Sequence, residues 1–580
     1  MPVSYIDTAR SSDLVTTKIM VEGEELSPIY HVVNIVVSKE VNRIPAATIV
    51  LRDGDPAARD FALSNQGFFV PGKEVAIQVG YHSEESVIFK GIVIKHRLKV
   101  RPAQSYLIVE CKDEAVKMTV GRKNRYFHES KDSDIAEEII ASYGLQKEIE
   151  STGITHPQVT QYHVSDWDFL ITRAQANGKI CVVEDGKLSL RKPDMEQEPV
   201  ETVMYGTTLL DLDAEIDARD QFQTITSYGW NAAEQELLEA EAEIPGVALN
   251  GNLSTDELAR AINLDNLQLQ NGSANSTSLR EWANSKALFS QLAKVRGRLK
   301  LQGIPAVKPD SVLRLEGVGD RFSGNVYISA CRHEITEGNW TVDAQFGIHP
   351  KWFSETVDMN DLPAAGLTAA VNGLQIGIVT RLENDPDGED RIAVKLPVVD
   401  GQSEGTWARV ATLDAGADRG SFFRPEIGDE VVVGFLNDNP DDAVILGMLH
   451  SSAKPAPLSA TDENHEKGFI TRSNMKFIFN DDDVSVTVET PNGNRLVLSD
   501  RDGGIKLEDE NGNTIQMDSN GVAIESASKL VIKSATDMQV ESGTNMELKG
   551  GALLTAEGAG GAELSSTAVT TVKGSTVMIN

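Results

Sequence analysis

Only three of the 580 residues are cysteine, and Cys111, Cys181 and Cys331 lie far apart with no C-x-x-C pair. That set argues against a disulfide framework and a structural zinc site, and it suits folding in a reducing cytoplasm. Basic residues are in deficit too: 54 Lys and Arg stand against 87 Asp and Glu, a net charge of −33. A nucleic-acid surface needs clustered Lys and Arg, so no nucleic-acid partner is expected. No run of about 18 apolar residues occurs, so no membrane span is expected. The N-terminal MPVSYIDTARSSDLV lacks the apolar stretch of a signal peptide. Aromatic residues make up 6% while glycine counts 47, a balance that suits strands and turns more than helical bundles.

Catalytic and metal-binding patterns are missing as well. There is no P-loop, no H-E-x-x-H, no G-x-S-x-G, and no dinucleotide glycine fingerprint in the context it needs. The ten histidines are scattered, without ligand-like spacing beside cysteines or carboxylates. Asp385-Pro386-Asp387-Gly388-Glu389-Asp390 resembles a calcium loop only superficially, because it lacks the glycine at the sixth position and the distal glutamate. It reads as a solvated hairpin turn, and Asp481-Asp482-Asp483 reads as a charged turn. The expectation is no catalytic residue, no cofactor and no metal.

At roughly 150 residues per domain, the length suggests about four domains. Residues 15–112 alternate in strand fashion between Gly, Pro and acidic turns. A helix is expected over 132–144, capped by Asp132 or Ser133, with Ile135, Ile139 and Ile140 on one face and Gly144 as its stop. A second is expected over 166–177, ending at Asn177-Gly178, and KICVVEDGKLSLRK then reads as a strand. Residues 232–295 break the β pattern. Ser278-Leu279-Arg280-Glu281 matches a capping box, and Trp282, Phe289, Leu292 and Val295 extend one apolar face. The fold class is mainly β: two β-barrel-like units with helical insertions near 132–177 and 232–295 form a hub over residues 1–355. Residues 356–374 read as a linker. Five short strands over 375–450 read as an OB-fold barrel, and 451–494 read as a linker and the start of a shaft.

Residues 495–580 carry a repeat. Apolar pairs separated by one residue recur every eight residues: Leu530/Ile532, Met538/Val540, Met546/Leu548, Leu554/Ala556, Ala562/Leu564 and Thr570/Val572. Three looser pairs precede them, Leu496/Leu498, Ile505/Leu507 and Ile515/Met517. Positions i and i+2 share one face of a strand, and a fixed period marks stacked units. Eight residues are too few to close one turn of a single-chain solenoid. Three chains contributing one strand each per layer close it, and they remove exposed strand edges. The expected trimer core is Leu530, Ile532, Met538, Val540, Met546, Leu548, Leu554, Ala556, Leu564 and Val572 of an intertwined trimeric β-helix.

The order of these parts resembles the VgrG family, the hub and spike proteins of phage tails, type VI secretion and extracellular contractile injection particles. Ser165-Asp166-Trp167-Asp168-Phe169-Leu170 with Arg173-Ala174 looks like the family's hub helix. Trp407-Ala408-Arg409-Val410 and Pro425-Glu426-Ile427-Gly428-Asp429-Glu430-Val431-Val432-Val433 resemble its OB signature, and Asn437–Asp442 with Gly447 resembles that domain's end. The resemblance implies a homotrimer whose hub joins inner-tube and baseplate proteins. It also implies a spike that punctures an envelope, touching the target membrane only transiently. The segment Val577, Met578, Ile579 and Asn580 would contact a PAAR-type tip protein or a toxin cargo. Assembly in the cytoplasm and incorporation into an extracellular or virion-like particle are the implied location. The lysozyme domain that some relatives carry after the OB barrel finds no room in 451–494. The competing reading is a trimeric tail-spike enzyme that degrades surface polysaccharide, which needs longer solenoid turns to form a sugar groove.

Overall fold

A computed structural model describes residues 14–579 except 244–245, 247–249 and 273–274. The chain is mainly β and divides into two compact units, residues 1–372 with 435–442, and residues 373–434 with 443–580.

In the first unit the strands alternate as the sequence does. Glu74–Tyr81 buries Val75, Ile77 and Val79 at every second position. One thirteen-stranded sheet runs through the unit. Its two parts meet where Val32–Glu40 pairs antiparallel with Gly324–Thr336, in the register Val37 to His333. Each part has its own core. Ile35, Ile49, Phe69, Ile77, Phe89 and Leu107 fill one. Leu299, Leu313, Leu315, Ile328, Val342 and Phe346 fill the other. The two barrel-like units therefore share a continuous sheet.

The helices pack beside it. Helix α1, Asp132–Ala141, and helix α2, Asp166–Ala176, bury Ile135, Ile139, Ile140, Trp167, Leu170 and Ile171 in a third core. Ser165 caps α2, its hydroxyl accepting from the Asp168 N–H at 3.0 Å. The cap expected for α1 differs. Asp132 and Ser133 both lie inside the helix, and Lys131 is the N-cap, its N–H donating to the Asp134 carboxylate at 3.4 Å. Asp132 is instead drawn towards α2. The segment expected as one strand is a hairpin, Ile180–Glu184 with Lys187–Arg191, folded at Asp185-Gly186.

The region 232–295 needs two further corrections. Glu236–Glu241, rich in helix formers, is a strand paired with Thr224–Asn231, so tertiary pairing overrides propensity. Helix α3, Thr255–Ile262, precedes helix α4, Ser276–Leu292. The cap of α4 is Asn275, whose side chain accepts from the Ser278 N–H at 2.8 Å. The expected box of Ser278 and Glu281 thus sits within the first turns. Val295 starts the next strand, Val295–Gln302, and packs in a different core from Phe289 and Leu292.

The second unit opens with a closed barrel of five strands. Its order is Gln375–Arg381, Ile392–Lys395, Thr406–Val410, Ala443–Met448 and Glu430–Phe435. Val379, Ile392, Val394, Ala408, Val431 and Ile445 fill it. Gly377 is required there, since a Cβ would sit 2.5 Å from Val394 Cγ2 and 2.8 Å from Val433 Cγ2. After the barrel, seven strands form an antiparallel meander in chain order: Glu466–Ile470, Lys476–Asn480, Ser485–Glu489, Arg495–Ser499, Gly504–Glu508, Thr514–Asp518 and Gly521–Glu525. Residues 526–579 make no strand pairing among the described residues.

Candidate functional site

The meander presents two apolar columns on one face. Residues directly opposite in an antiparallel pair point to the same side. The register therefore aligns Phe469, Phe477, Val488, Leu496, Leu507, Ile515 and Ile524 in one column. Beside it run Phe479, Val486, Leu498, Ile505, Met517 and Val522. Aromatic packing extends the first column at its barrel end. Phe423 stacks on Phe469 at 5.0 Å between centroids, Phe469 on Phe477 at 6.5 Å, and Phe477 meets Phe479 at 4.9 Å.

Beyond the Phe423 contact at its barrel end, the described residues leave this face largely uncovered. Phe469 is 45% exposed, Phe477 38% and Val522 66%. Burying one such side chain completely from an exposed state contributes roughly 1.5–3 kcal/mol, of which about half is still to be gained at these partly covered positions, and a soluble monomer rarely leaves an apolar patch larger than a few hundred Å² exposed. Thirteen aligned side chains make the face an interface in search of a cover.

The expected core residues continue the columns in phase. Val522 and Ile524 lie eight residues before Leu530 and Ile532, and a hollow on the face is lined by Leu507, Ile515, Ile524 and Leu530. Leu530, Ile532, Met538, Val540, Met546, Leu548, Leu554, Ala556, Leu564 and Val572 are all exposed on the single chain, from 50% at Met546 to 79% at Leu564 among the larger side chains. Val577, Met578 and Ile579 are exposed, and Asn580 lies outside the described residues. The sequence reading did not single out Phe469, Phe477, Phe479, Val486, Val488, Val522 and Ile524. Their alternation within strands was visible, but unequal hairpin lengths hid the period.

The turns between octads share a device. Ser534 Oγ donates to the Asp537 carbonyl at 2.8 Å, and Ser542 Oγ to the Asn545 carbonyl at 2.7 Å. Eight residues on, Gly550 and Gly558 take the same place. A Cβ there would lie 2.6 Å from the Leu553 carbonyl oxygen and 2.2 Å from that of Gly561. These four octads thus close on a carbonyl three residues ahead, met by a hydroxyl or approached over a glycine, whereas at Ser566 the hydroxyl accepts from the Ala568 N–H at 3.2 Å.

Charged groups buried in the hub fix its helices. Asp132 accepts from Arg173 Nε at 2.6 Å, Arg173 Nη2 at 2.9 Å and Asn177 Nδ2 at 2.8 Å, with His156 Nε2 at 3.0 Å. Burial alone would raise this carboxyl. The Arg173 guanidinium, with Asn177 and His156, reverses that and holds it below the usual carboxylate range. Asp166, at the start of α2, is held by Lys123 at 2.6 Å, Tyr143 at 2.7 Å and Gln161 at 2.8 Å. Neither group sets a nucleophile beside a base, and both tie helices to strands. In the barrel, the Asp385 carboxylate is occupied by Arg391 and by the N–H groups of Asp387 and Glu389, which hold its pKa well below the usual range. That is the chemistry of a closed turn. Among the described residues no three or more His, Cys, Asp and Glu cluster where they could hold a metal. The three cysteines are free and buried. No helix among the described residues is long and apolar enough to cross a membrane.

Comparison with known proteins places each part. Residues 11–337 match the family model of the Alg8 N-terminal domain. Residues 375–450 match the type VI secretion system/phage-baseplate injector OB domain, and 485–580 match the phage baseplate V C-terminal trimerisation domain. The type VI secretion system spike protein VgrG3 of Vibrio cholerae is 41% identical over 56 residues, a stretch spanning 10% of this chain and 6% of that protein. The 43 kDa tail protein of prophage MuSo2 from Shewanella oneidensis aligns with a TM-score of 0.44 at 10% identity, over 58% of this chain and 98% of that one. An E. coli type VI secretion component, described as similar to the T4 bacteriophage tail proteins gp27 and gp5, aligns with a TM-score of 0.38 at 13% identity, over 74% of this chain and 100% of that one. With more than half its length matched by the first of these models, the chain belongs to the Alg8 N-terminal domain family, and after that domain it carries the injector OB domain and the phage baseplate V C-terminal trimerisation domain.

Proposed function

We propose that this chain is the protomer of a homotrimeric hub and spike at the tip of a contractile injection machine. The first unit joins the inner tube to the baseplate, and the barrel forms a collar. The shaft crosses the target envelope, touching the membrane only in passage. The observation that carries this reading is the uncovered two-column face of residues 469–524, continued in eight-residue phase to Val572. The described residues of a single chain leave it open to solvent. Three copies around one axis cover it with one another and leave no free strand edge. Chains wound together in this way unfold slowly, because none can leave without unwinding the others. A rigid, slowly unfolding rod is what an envelope-crossing tool requires, and the sheath of the machine would supply the work.

At the far end, exposed Val577, Met578 and Ile579 present a small apolar surface that suits a seat for a PAAR-type tip or a toxin. A particle carrying such a spike assembles inside the producing cell and acts outside it. The test is co-purification. The intact chain is expected to retain its tip partner through gel filtration. Met578→Asp with Ile579→Asp is expected to lose the partner while the oligomer stays intact. Retention of the partner by that variant would refute the distal seat.

A further inference from the structure

Along the first octads of the shaft the apolar core discriminates poorly between neighbours. Leu530/Ile532, Met538/Val540 and Met546/Leu548 are alike in size and phase, so sliding one chain past another by eight residues changes that part of the core little, while Ala556, Ala562 and Thr570 mark the later octads. Register that the core leaves open must be set elsewhere.

The outward face shows how. In the meander, Lys476 stands opposite Glu489, Glu489 opposite Arg495, and Arg495 opposite Glu508. The charge alternates from strand to strand, and Lys476 Nζ reaches Glu489 Oε1 at 3.1 Å. The last meander strand ends at Glu525, the residue after Ile524. From there the same outward place recurs at each octad, directly after the second apolar residue, and holds Lys533, Glu541, Lys549 and Glu557. The alternation lapses at Thr514, which stands opposite both Glu508 and Glu525, and it resumes from Glu525 although strand pairing among the described residues has stopped. All of these side chains are exposed. In the isolated chain Lys549 meets, among the described residues, Glu547 two residues earlier at 2.5 Å.

Threefold winding tells which octads become neighbours. If each octad carries its chain one third of a turn around the axis, the strand stacked on octad n of one copy is octad n+1 of the next copy. The spacing between them is that of neighbouring strands, about 4.8 Å. We propose that Glu525, Lys533, Glu541, Lys549 and Glu557 form an interchain charge ladder that fixes the axial register of the three copies. With a one-octad step every neighbour in this column is an opposite charge. A slip of one octad either way stacks Glu on Glu and Lys on Lys. One exposed pair is weak, but a like-charge stack repeated on three faces is a consistent penalty against the slipped state. The inference rests on the trimer reading above and adds the relation between the copies.

Two full-length variants test it. In the first, Lys533→Glu and Lys549→Glu make the column uniformly acidic. In the second, all five charges are inverted, so the alternation is kept. The readout is the temperature at which the trimer comes apart in SDS, measured after incubation at low salt and at high salt. The uniform variant is expected to dissociate about 5–10 °C lower than the parent at low salt and to recover at high salt, where exposed charges are screened. The inverted variant is expected to match the parent. A uniform variant that equals the parent at low salt, or an inverted variant that falls as far as the uniform one, would overturn the ladder. A parent that is itself monomeric by native mass spectrometry would overturn the trimer reading and the ladder with it.

Discussion

Phe469 and Phe477 stand directly opposite each other in the first two shaft strands, with ring planes 19° apart and centroids at 6.5 Å, yet both rings remain open to solvent on the single chain. They begin a column that runs without a polar break to Ile524. A sheet builds such a face to be covered.

A charge in the column should therefore prevent assembly. Phe477→Asp would place three carboxylates near one axis, where each unpaired charge costs several kcal/mol. The variant is expected to run as a monomer in size-exclusion chromatography with light scattering. Gln516→Asp, on the opposite face of the same sheet, is expected to stay assembled.

The octad turn makes a narrower prediction. Gly550 occupies the place where Ser534 and Ser542 donate to a carbonyl three residues on. A Cβ there meets the Leu553 carbonyl oxygen at 2.6 Å, so Gly550→Ser should lower the temperature of SDS dissociation, with its hydroxyl recovering part of the loss by donating to that carbonyl. Gly550→Val, which brings a branched side chain against the Leu553 carbonyl without a donor, should lower the temperature of SDS dissociation clearly further.

In the hub, removing the charge partner of Asp132 leaves a buried carboxylate with reduced compensation. Arg173→Met is expected to cost about 3–5 kcal/mol at neutral pH, read as a lower hub transition in calorimetry. The sign with pH follows from the direction of the shift. The Asp132 carboxyl of the parent is held below its ordinary value, so its stabilisation is present above about pH 4 and is lost as pH falls through the folded pKa. In the variant the carboxyl gains stability by protonation. The gap between the two proteins should narrow below about pH 4.

His333 gives a second pH test. Burial, reinforced by the charge of Lys39, pushes its imidazole down to about 3, and its Nδ1 accepts from Trp340 Nε1 at 3.3 Å. The unfolded chain takes up this proton near pH 6.5 and the folded hub does not, so stability falls as pH drops from about 6.5 towards 3. His333→Gln, which keeps an acceptor for Trp340, should show a shallower loss between pH 7 and pH 4.5 in urea midpoints.

The sequence disclosed parts of this fold where one local rule governs them. Leu530 to Val572 keep strict phase in the sequence, and four successive octads turn on the same device at Ser534, Ser542, Gly550 and Gly558. Helix α2 is legible from Asp166 through Asn177 because its apolar face and its stop at Asn177-Gly178 agree. The barrel strands are legible because each is bounded by its own turn. Legibility failed where distant residues decide. Asp132 looks like a cap until Arg173, 41 residues on, claims its carboxylate. Ser278 and Glu281 imitate a capping box because Asn275 begins the helix one turn earlier. Glu236–Glu241 has helix-forming residues but completes a sheet beside Tyr228. The Phe469 column was hidden because the hairpins joining its strands differ in length, so its register comes from pairing rather than from a period.

Native mass spectrometry of the purified full-length chain tests the central claim most directly. A species at three times 62.9 kDa that persists in SDS without boiling and collapses to one chain after boiling is the predicted result. A clean 62.9 kDa monomer under native conditions would contradict the account.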